Sequence, residues 1–349
     1  MRRDRLTFAM MLGIPLLQLT LFGYAINSDP RHLPAAVVLA DHGPQGRTLL
    51  HAMKNSTFFD FVREARTEME ARDLLARGKV QFVINIPENF THDLLRGDRP
   101  ALLVEADATD PAATGIALGS LSAQVASGLT NDLKGPLAFL QASPGPVDLR
   151  VHALYNPENN TQYNIVPGLM GVILTMTMIM ITGLAITRER ERGTMENLLS
   201  MPTRPSEVLI GKIVPYILIG YVQVAVILIA AHFLFHVPMH GSIPLLLASA
   251  LVFIAANLAM GITFSTIAKN QLQAMQMTFF VFLPSILLSG FMFPFRGMPH
   301  WAQAIGEVLP LTHFLRIVRG ILLKGNGLAD VSLDLWPIAV FAAIILAIG

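Results

Sequence analysis

Five stretches of the chain run long without an Asp, Glu, Lys or Arg: Leu6 to Ser28, Asn159 to Thr187, Ile213 to Ala268, Asn270 to Phe295, and Leu335 to the last residue. A membrane-spanning helix takes roughly 20 apolar residues, and a central charge costs about 2.5 to 3.5 kcal/mol, so charge-free length measures candidate spans. The third stretch is too long for one span. Its middle, His236 to Gly241, is a polar turn containing Pro238, which predicts a hairpin of two helices. Six spans follow, at about 6–27, 163–187, 208–235, 243–267, 272–293 and from 334 onward. The last run offers about 22 Å of helix against a hydrocarbon core of about 30 Å. That predicts a C-terminus that continues beyond Gly349; residues preceding Met1 are left open.

Between the first two spans the pattern changes. Short β-rich runs at Ala35–Ala40, Phe58–Val62, Lys79–Ile86 and Ala101–Ala106 alternate with helical stretches at Gly46–Lys54, Thr67–Ala76 and Pro87–Leu95, then a long one from Pro111 to Leu140. This alternation predicts an α/β domain over residues 28–160. The predicted architecture is an α-helical polytopic membrane protein whose α/β domain is inserted between spans one and two.

Composition supports two solvents. Hydrophobic residues make up 53% of the 349 and charged residues only 14%, and 28 of the 49 charges lie between Ser28 and Asn160. The net charge of +1 gives no signature of a nucleic-acid partner, and the absence of cysteine removes thiolate metal sites and Cys nucleophiles. Arg2, Arg3 and Arg5 before the first span, and Arg188, Arg190, Arg192, Arg204 and Lys212 after the second, place both segments in the cytoplasm. The 28–160 domain then lies outside. Arg296, Arg316, Arg319 and Lys324 fall on the outer side and are expected on short interfacial helices, with their side chains snorkelling toward water.

The spans themselves hold only neutral polar groups, among them Gln223, Asn257, Gln276 and Ser285, which should prefer a cavity or a helix interface to lipid. A carboxylate proton relay is not expected there. His232, His236 and His240 recur every four residues, but Pro238 interrupts the helix, so interfacial histidines are favoured over a metal site. No G-x-x-x-x-G-K-S/T occurs, so the chain has no P-loop for nucleotide. No Ser/His/Asp set or carboxylate pair beside the spans suggests catalysis.

One inner segment stands out. In the run E-R-E-R-G-T-M-E-N-L-L-S-M-P at 189–202, Met195, Leu198 and Leu199 form an apolar seam at helical spacing, bounded by Gly193 and Pro202. It is followed by P-S-E-V-L-I-G-K at 205–212. Together these resemble the cytoplasmic coupling segment of permease subunits in the ABC type-2 exporter family. L-S-G-F-M-F-P-F-R-G-M-P-H-W at 288–301 and L-P-L-T-H-F-L-R-I-V-R-G at 309–320 resemble that family's re-entrant outer segment, placed here at 294–320. The order of one span, a large outer domain and five further spans agrees as well.

The resemblance implies a transport subunit, not an enzyme. It would export drugs, other amphipathic molecules or cations across a bacterial inner membrane by alternating access. Two permease subunits, identical or similar, would pair with two cytosolic ATPase subunits that hold the ATP and magnesium. A periplasmic adaptor and an outer-membrane channel are further expected partners. The segment 188–207 would couple to the ATPase through Glu189, Arg190, Glu191, Gly193, Thr194, Glu196 and Leu198, while Gln223, Asn257, Gln276 and Ser285 are candidates for the substrate pathway. The alternative is a membrane sensor or assembly factor whose outer domain binds a ligand; a secondary transporter and a membrane enzyme rank below it.

Overall fold

The computed structural model describes residues 32–56, 58–130, 133–134, 146–158, 160–193 and 205–348. The predicted first span, at 6–27, lies outside them. The chain divides into two compact units, one of residues 27–161 and the other built mainly of 162–295 and 299–349.

The first unit is a five-stranded sheet, in the order β2-β1-β3-β4-β5. Its strands are β1 (Leu33–Leu39), β2 (Phe59–Glu64), β3 (Phe82–Ile86), β4 (Ala101–Asp107) and β5 (Asp148–Leu154). All neighbours are parallel except β3 and β4. The helices are α1 (Pro44–Asn55), α2 (Glu68–Ala76), α3 (Phe90–Arg96) and α4 (Pro111–Leu129).

Alternation along the strands sorts the core into two layers. Leu33, Ala35 and Val37 of β1 join Phe82, Ile84 and Ile86 of β3 beneath α1, α3 and α4, whereas Ala36, Val38 and Val83 face Ala71, Leu74 and Leu75 of α2. Thr67 starts α2 by accepting a hydrogen bond from the Glu70 amide at 3.2 Å, satisfying one of the free N–H groups of the first turn.

Four of the five strands fall where the alternation predicts them. The fifth, β5, was not predicted. As an edge strand with residues exposed at its centre it lacks a buried alternating face. The expected long helix from Pro111 runs to Leu129, and most of the rest of its expected range, to 140, lies outside the described residues.

The second unit is helical: α5 (Thr161–Glu191), α6 (Pro205–Phe233), α7 (Ile243–Ile267), α8 (Gln271–Leu288), α9 (His300–Gly306), α10 (Pro310–Arg319), a π-helical turn at Gly320–Lys324, and α11 (Leu328–Ile348). Among the described residues five helices are long and apolar enough to cross a membrane: α5, the 213–233 part of α6, α7, α8 and α11. They correspond to predicted spans two to six.

Boundaries shift by a few residues throughout, and two of the shifts have consequences. The fifth span ends at Leu288 rather than 293, because the chain turns at Gly290 with φ +83°. The sixth begins at Leu328 rather than 334, so it carries Asp330 and Asp334 within its first turns and extends 21 residues. The helix expected to hold the sixth span thus contains two carboxylates, Asp334 at the edge of the expected span and Asp330 ahead of it.

Because lipid is as apolar as leucine, association of these helices rests on close van der Waals packing. The core gathers Met170, Leu174 and Met178 of α5, Val224 of α6, and Phe253 of α7 around Phe314 of α10. The Phe253 and Phe314 rings stack with centroids 4.0 Å apart. An alanine Cβ at Gly261 would stand 2.8 Å from the Ile179 carbonyl oxygen, so α5 and α7 meet backbone to backbone at this glycine. By contrast, α6 shows Val214, Leu218, Val222, Val226 and Ile229 at its surface.

Candidate functional site

At the end of the helical unit where α5 finishes, its last residues reach across to the turn joining α7 and α8. The Arg190 guanidinium donates to the Thr266 carbonyl at 3.3 Å, and Arg188 Nε donates to Gln271 Oε1 at 3.2 Å. Both Glu191 oxygens accept from Gln271, one from its backbone N–H at 2.8 Å and one from its side-chain amide. That turn is itself fixed: Asn270 caps α8 by accepting from the Gln273 amide at 2.8 Å, and Gln273 Oε1 accepts from the Lys269 amide at 2.8 Å.

Thus Arg190 and Glu191, expected to face a partner, are brought together on the turn between α7 and α8 of the same chain. Glu189 is half-buried beside them. Gly193 has φ +69°, a left-handed conformation that ends the helical segment at low cost for glycine. Thr194, Glu196 and Leu198 lie outside the described residues.

The four expected pathway residues do not converge by hydrogen bonds among the described residues. Gln223 of α6 accepts from the Thr177 hydroxyl of α5 at 2.9 Å, which links two spans. Asn257 is fully buried; its amide nitrogen donates to the Phe253 carbonyl at 2.8 Å within α7, while its Oδ1 has no hydrogen-bond partner. Gln276 Oε1 is likewise buried without one. Ser285 donates to the Val281 carbonyl at 2.7 Å and so satisfies itself within α8. Thr182, whose Oγ1 is buried and unbonded, belongs with these groups and was missed. Its only sequence signal is its position beside Gly183.

At the opposite end of the unit Arg316 and Arg319 make bonds within the protein. Arg319 donates to Asn164 Oδ1 at 3.0 Å and to the Gly290 carbonyl at 3.2 Å, tying α10 to α5 and to the end of α8. Arg316 pairs with Glu307 and lies 3.5 Å from Asp334. Bonding within the protein replaces solvent because α10 is almost wholly buried, including Pro310 to Leu315, Ile317 and Val318. His313 and Asp334, which complete this cluster, were not singled out from sequence. The histidine and Arg316 stand at i and i+3 on one helix face, and the aspartate sits just ahead of the last charge-free run.

In the sheet unit, an open cleft of about 480 Å³ lies over the C-terminal ends of β1 and β3, with Val38 and Leu103 in its floor and Glu68, Glu88 and Arg150 at its rim. Among the described residues no group of three or more His, Asp or Glu is placed to hold a metal ion.

Fold and sites together define a polytopic helical membrane protein with an α/β sheet unit, and comparison with known proteins specifies the class. Residues 5–349 match the model of the ABC-2 family transporter protein family. The chain is 30% identical over 329 residues to the probable multidrug ABC transporter permease YbhS of Escherichia coli strain K12, covering 93% of this chain and 85% of that one. It is 27% identical over 341 residues to the probable multidrug ABC transporter permease YbhR of the same strain, covering 98% and 91%. The inner membrane transport permease YhhJ of that strain is 31% identical over 307 residues, covering 87% and 79%. The chain belongs to the ABC-2 transporter family.

Proposed function

We propose that the chain is the permease subunit of an ATP-driven exporter of a bacterial inner membrane. It would move drugs or other amphipathic molecules outward, with a separate ATPase supplying the energy. The observation that carries this reading is the family match across essentially the whole chain, to relatives named as multidrug permeases. The sequence has no P-loop of its own.

In this reading the 188–207 segment takes the ATPase, with Glu189, Arg190, Glu191, Gly193, Thr194, Glu196 and Leu198 at the contact. The Glu191–Gln271 bonds would pass its displacement to the α7–α8 turn, so that two inner elements move together and the helices rock as rigid bodies between inward-open and outward-open states. Gln223, Asn257, Gln276 and Ser285 remain the candidate pathway groups. Buried amide oxygens without partners, as at Asn257 and Gln276, suit a site that exchanges water or ligand. The residue 28–160 domain would stand outside, where an adaptor can dock.

The test is ATP-dependent uptake of a panel of dyes and drugs into inverted vesicles that hold the chain with its ATPase. Uptake that needs both proteins and ATP supports the proposal. Failure of every compound, or uptake indifferent to the ATPase, refutes it.

A further inference from the structure

Where α10 packs on α11, four charged or titratable side chains meet. His313 is 6% exposed, and its two ring nitrogens lie 2.8 Å from the Glu307 carbonyl oxygen (Nε2) and 2.8 Å from Asp334 Oδ1 (Nδ1). Arg316 Nη1 donates to Glu307 Oε2 at 3.0 Å and approaches Asp334 Oδ1 at 3.5 Å, and its guanidinium stands 4.8 Å from the Phe295 ring centre. The neighbouring helices α7 and α8 contain no Asp, Glu, Lys, Arg or His, and the one titratable group of α9 is the exposed His300.

The proton count follows from the acceptors. A backbone carbonyl can only accept, so Nε2 bears a hydrogen. Nδ1 then faces a carboxylate oxygen, and two lone pairs cannot meet at hydrogen-bond distance, so one more proton lies between them. Either the imidazole is a cation beside a carboxylate, or it is neutral beside a carboxylic acid. Both arrangements leave the pair with zero net charge, and Arg316 is balanced by Glu307.

We propose that His313 and Asp334 form a proton-binding site that fastens α10 to α11. With the proton present, α10 is held at both ring nitrogens. Loss of the proton to solution leaves a lone pair against a carboxylate and one net negative charge in a largely buried site, and α10 loosens from α11. Asp334 retains a side-chain exposure of 24%, so the site is not fully enclosed by the protein. The position of α10 is then linked to pH at the end of the bundle where α5 begins. This inference does not depend on what the permease carries.

The chain reports on this site through its own tryptophans, of which it has two. Trp301 lies on α9, which precedes α10, and Trp336 lies on α11 two residues after Asp334. The experiment is a titration of intrinsic fluorescence and its acrylamide quenching, with the full chain in lipid nanodiscs, from about pH 5 to about pH 9, the range that brackets histidine titration. The expected result is one step, with quenching rising at alkaline pH. The step is lost in both His313→Gln and the isosteric Asp334→Asn, and it is kept in His300→Gln.

No step in the unaltered chain overturns the proposal, which leaves it testable even if a variant fails to insert. A step that survives in His313→Gln or in Asp334→Asn also overturns it, as does one that disappears in His300→Gln.

Discussion

Single residues set limits here that a neighbour's chemistry does not reveal. Gly261 and Gly183 sit at the same crossing of α5 and α7, yet only Gly261 lacks room: a Cβ there would lie 2.8 Å from both the Ile179 oxygen and Thr182 Cβ, whereas at Gly183 the nearest atom is 3.6 Å away. Gly261→Ala should therefore force the helices apart and cost about 1 to 3 kcal/mol, and Gly183→Ala should be nearly silent, as read by thermal unfolding of the two variants in detergent. Equal midpoints would contradict the close crossing. In the sheet unit, burial first and then the Asp107 and Glu105 carboxylates push the Tyr155 hydroxyl up to about 12, against the opposing pull of Arg72. The fold thus favours the protonated phenol. Its stabilising share is complete below the ordinary value near pH 10 and is lost as pH rises toward 12. Thermal unfolding followed across that range should show a steeper alkaline loss in the natural chain than in Tyr155→Phe; identical curves would count against the shift.

At the scale of elements, the end of α5 and the start of α8 are joined as one piece because Glu191 and Gln271 satisfy each other at two points. If that contact passes motion from the coupling segment, Glu191→Ala, Gln271→Ala and the double variant should reduce transport to the same extent. Additive losses in the vesicle assay would show that the two residues act separately. Neither partner of this contact announces the other in sequence: the E-R-E run is conspicuous, but Gln271 is an ordinary first-turn residue of a span. The same division separates what sequence revealed elsewhere. Strands β1 and β3 were legible as short β-rich apolar runs because both of their faces are buried against helices. Edge strand β5 was not, since Arg150 and His152 on it are exposed and Val151 is nearly half so. The start of α11 was hidden for a different reason. Counting charge-free length excludes Asp330 and Asp334, yet Asp334 is admitted because His313 and Arg316 neutralise it from another helix. Local pattern reads burial; it does not read pairing across the fold. The four pathway candidates show the same limit, because polarity within a span located Asn257 and Gln276 but carried no information about whether they meet.

For the whole molecule, the decisive question is where force enters. The helical core around Phe253 and Phe314 is close-packed, and such packing transmits displacement rather than absorbing it. A push at the turn between α7 and α8 should consequently reach the far end, where Arg319 holds α10 to α5. The proposed entry point is the segment beginning at Glu189, in whose sequence Glu196 falls between Met195 and Leu198 of the apolar seam. Glu196→Arg reverses one charge in that segment. A cognate ATPase that reads this acid should no longer copurify with the variant, while membrane insertion and the thermal midpoint of the permease stay unchanged. A neutral Glu196→Gln exchange should weaken association less than the reversal, because removing an attraction costs less than creating a repulsion. Pull-down of the ATPase from detergent extracts at two salt concentrations separates these cases: a charge-reading contact weakens as salt rises. Undiminished capture by Glu196→Arg would place the engine's grip elsewhere on the inner face, with the Gln271 turn the next surface to alter.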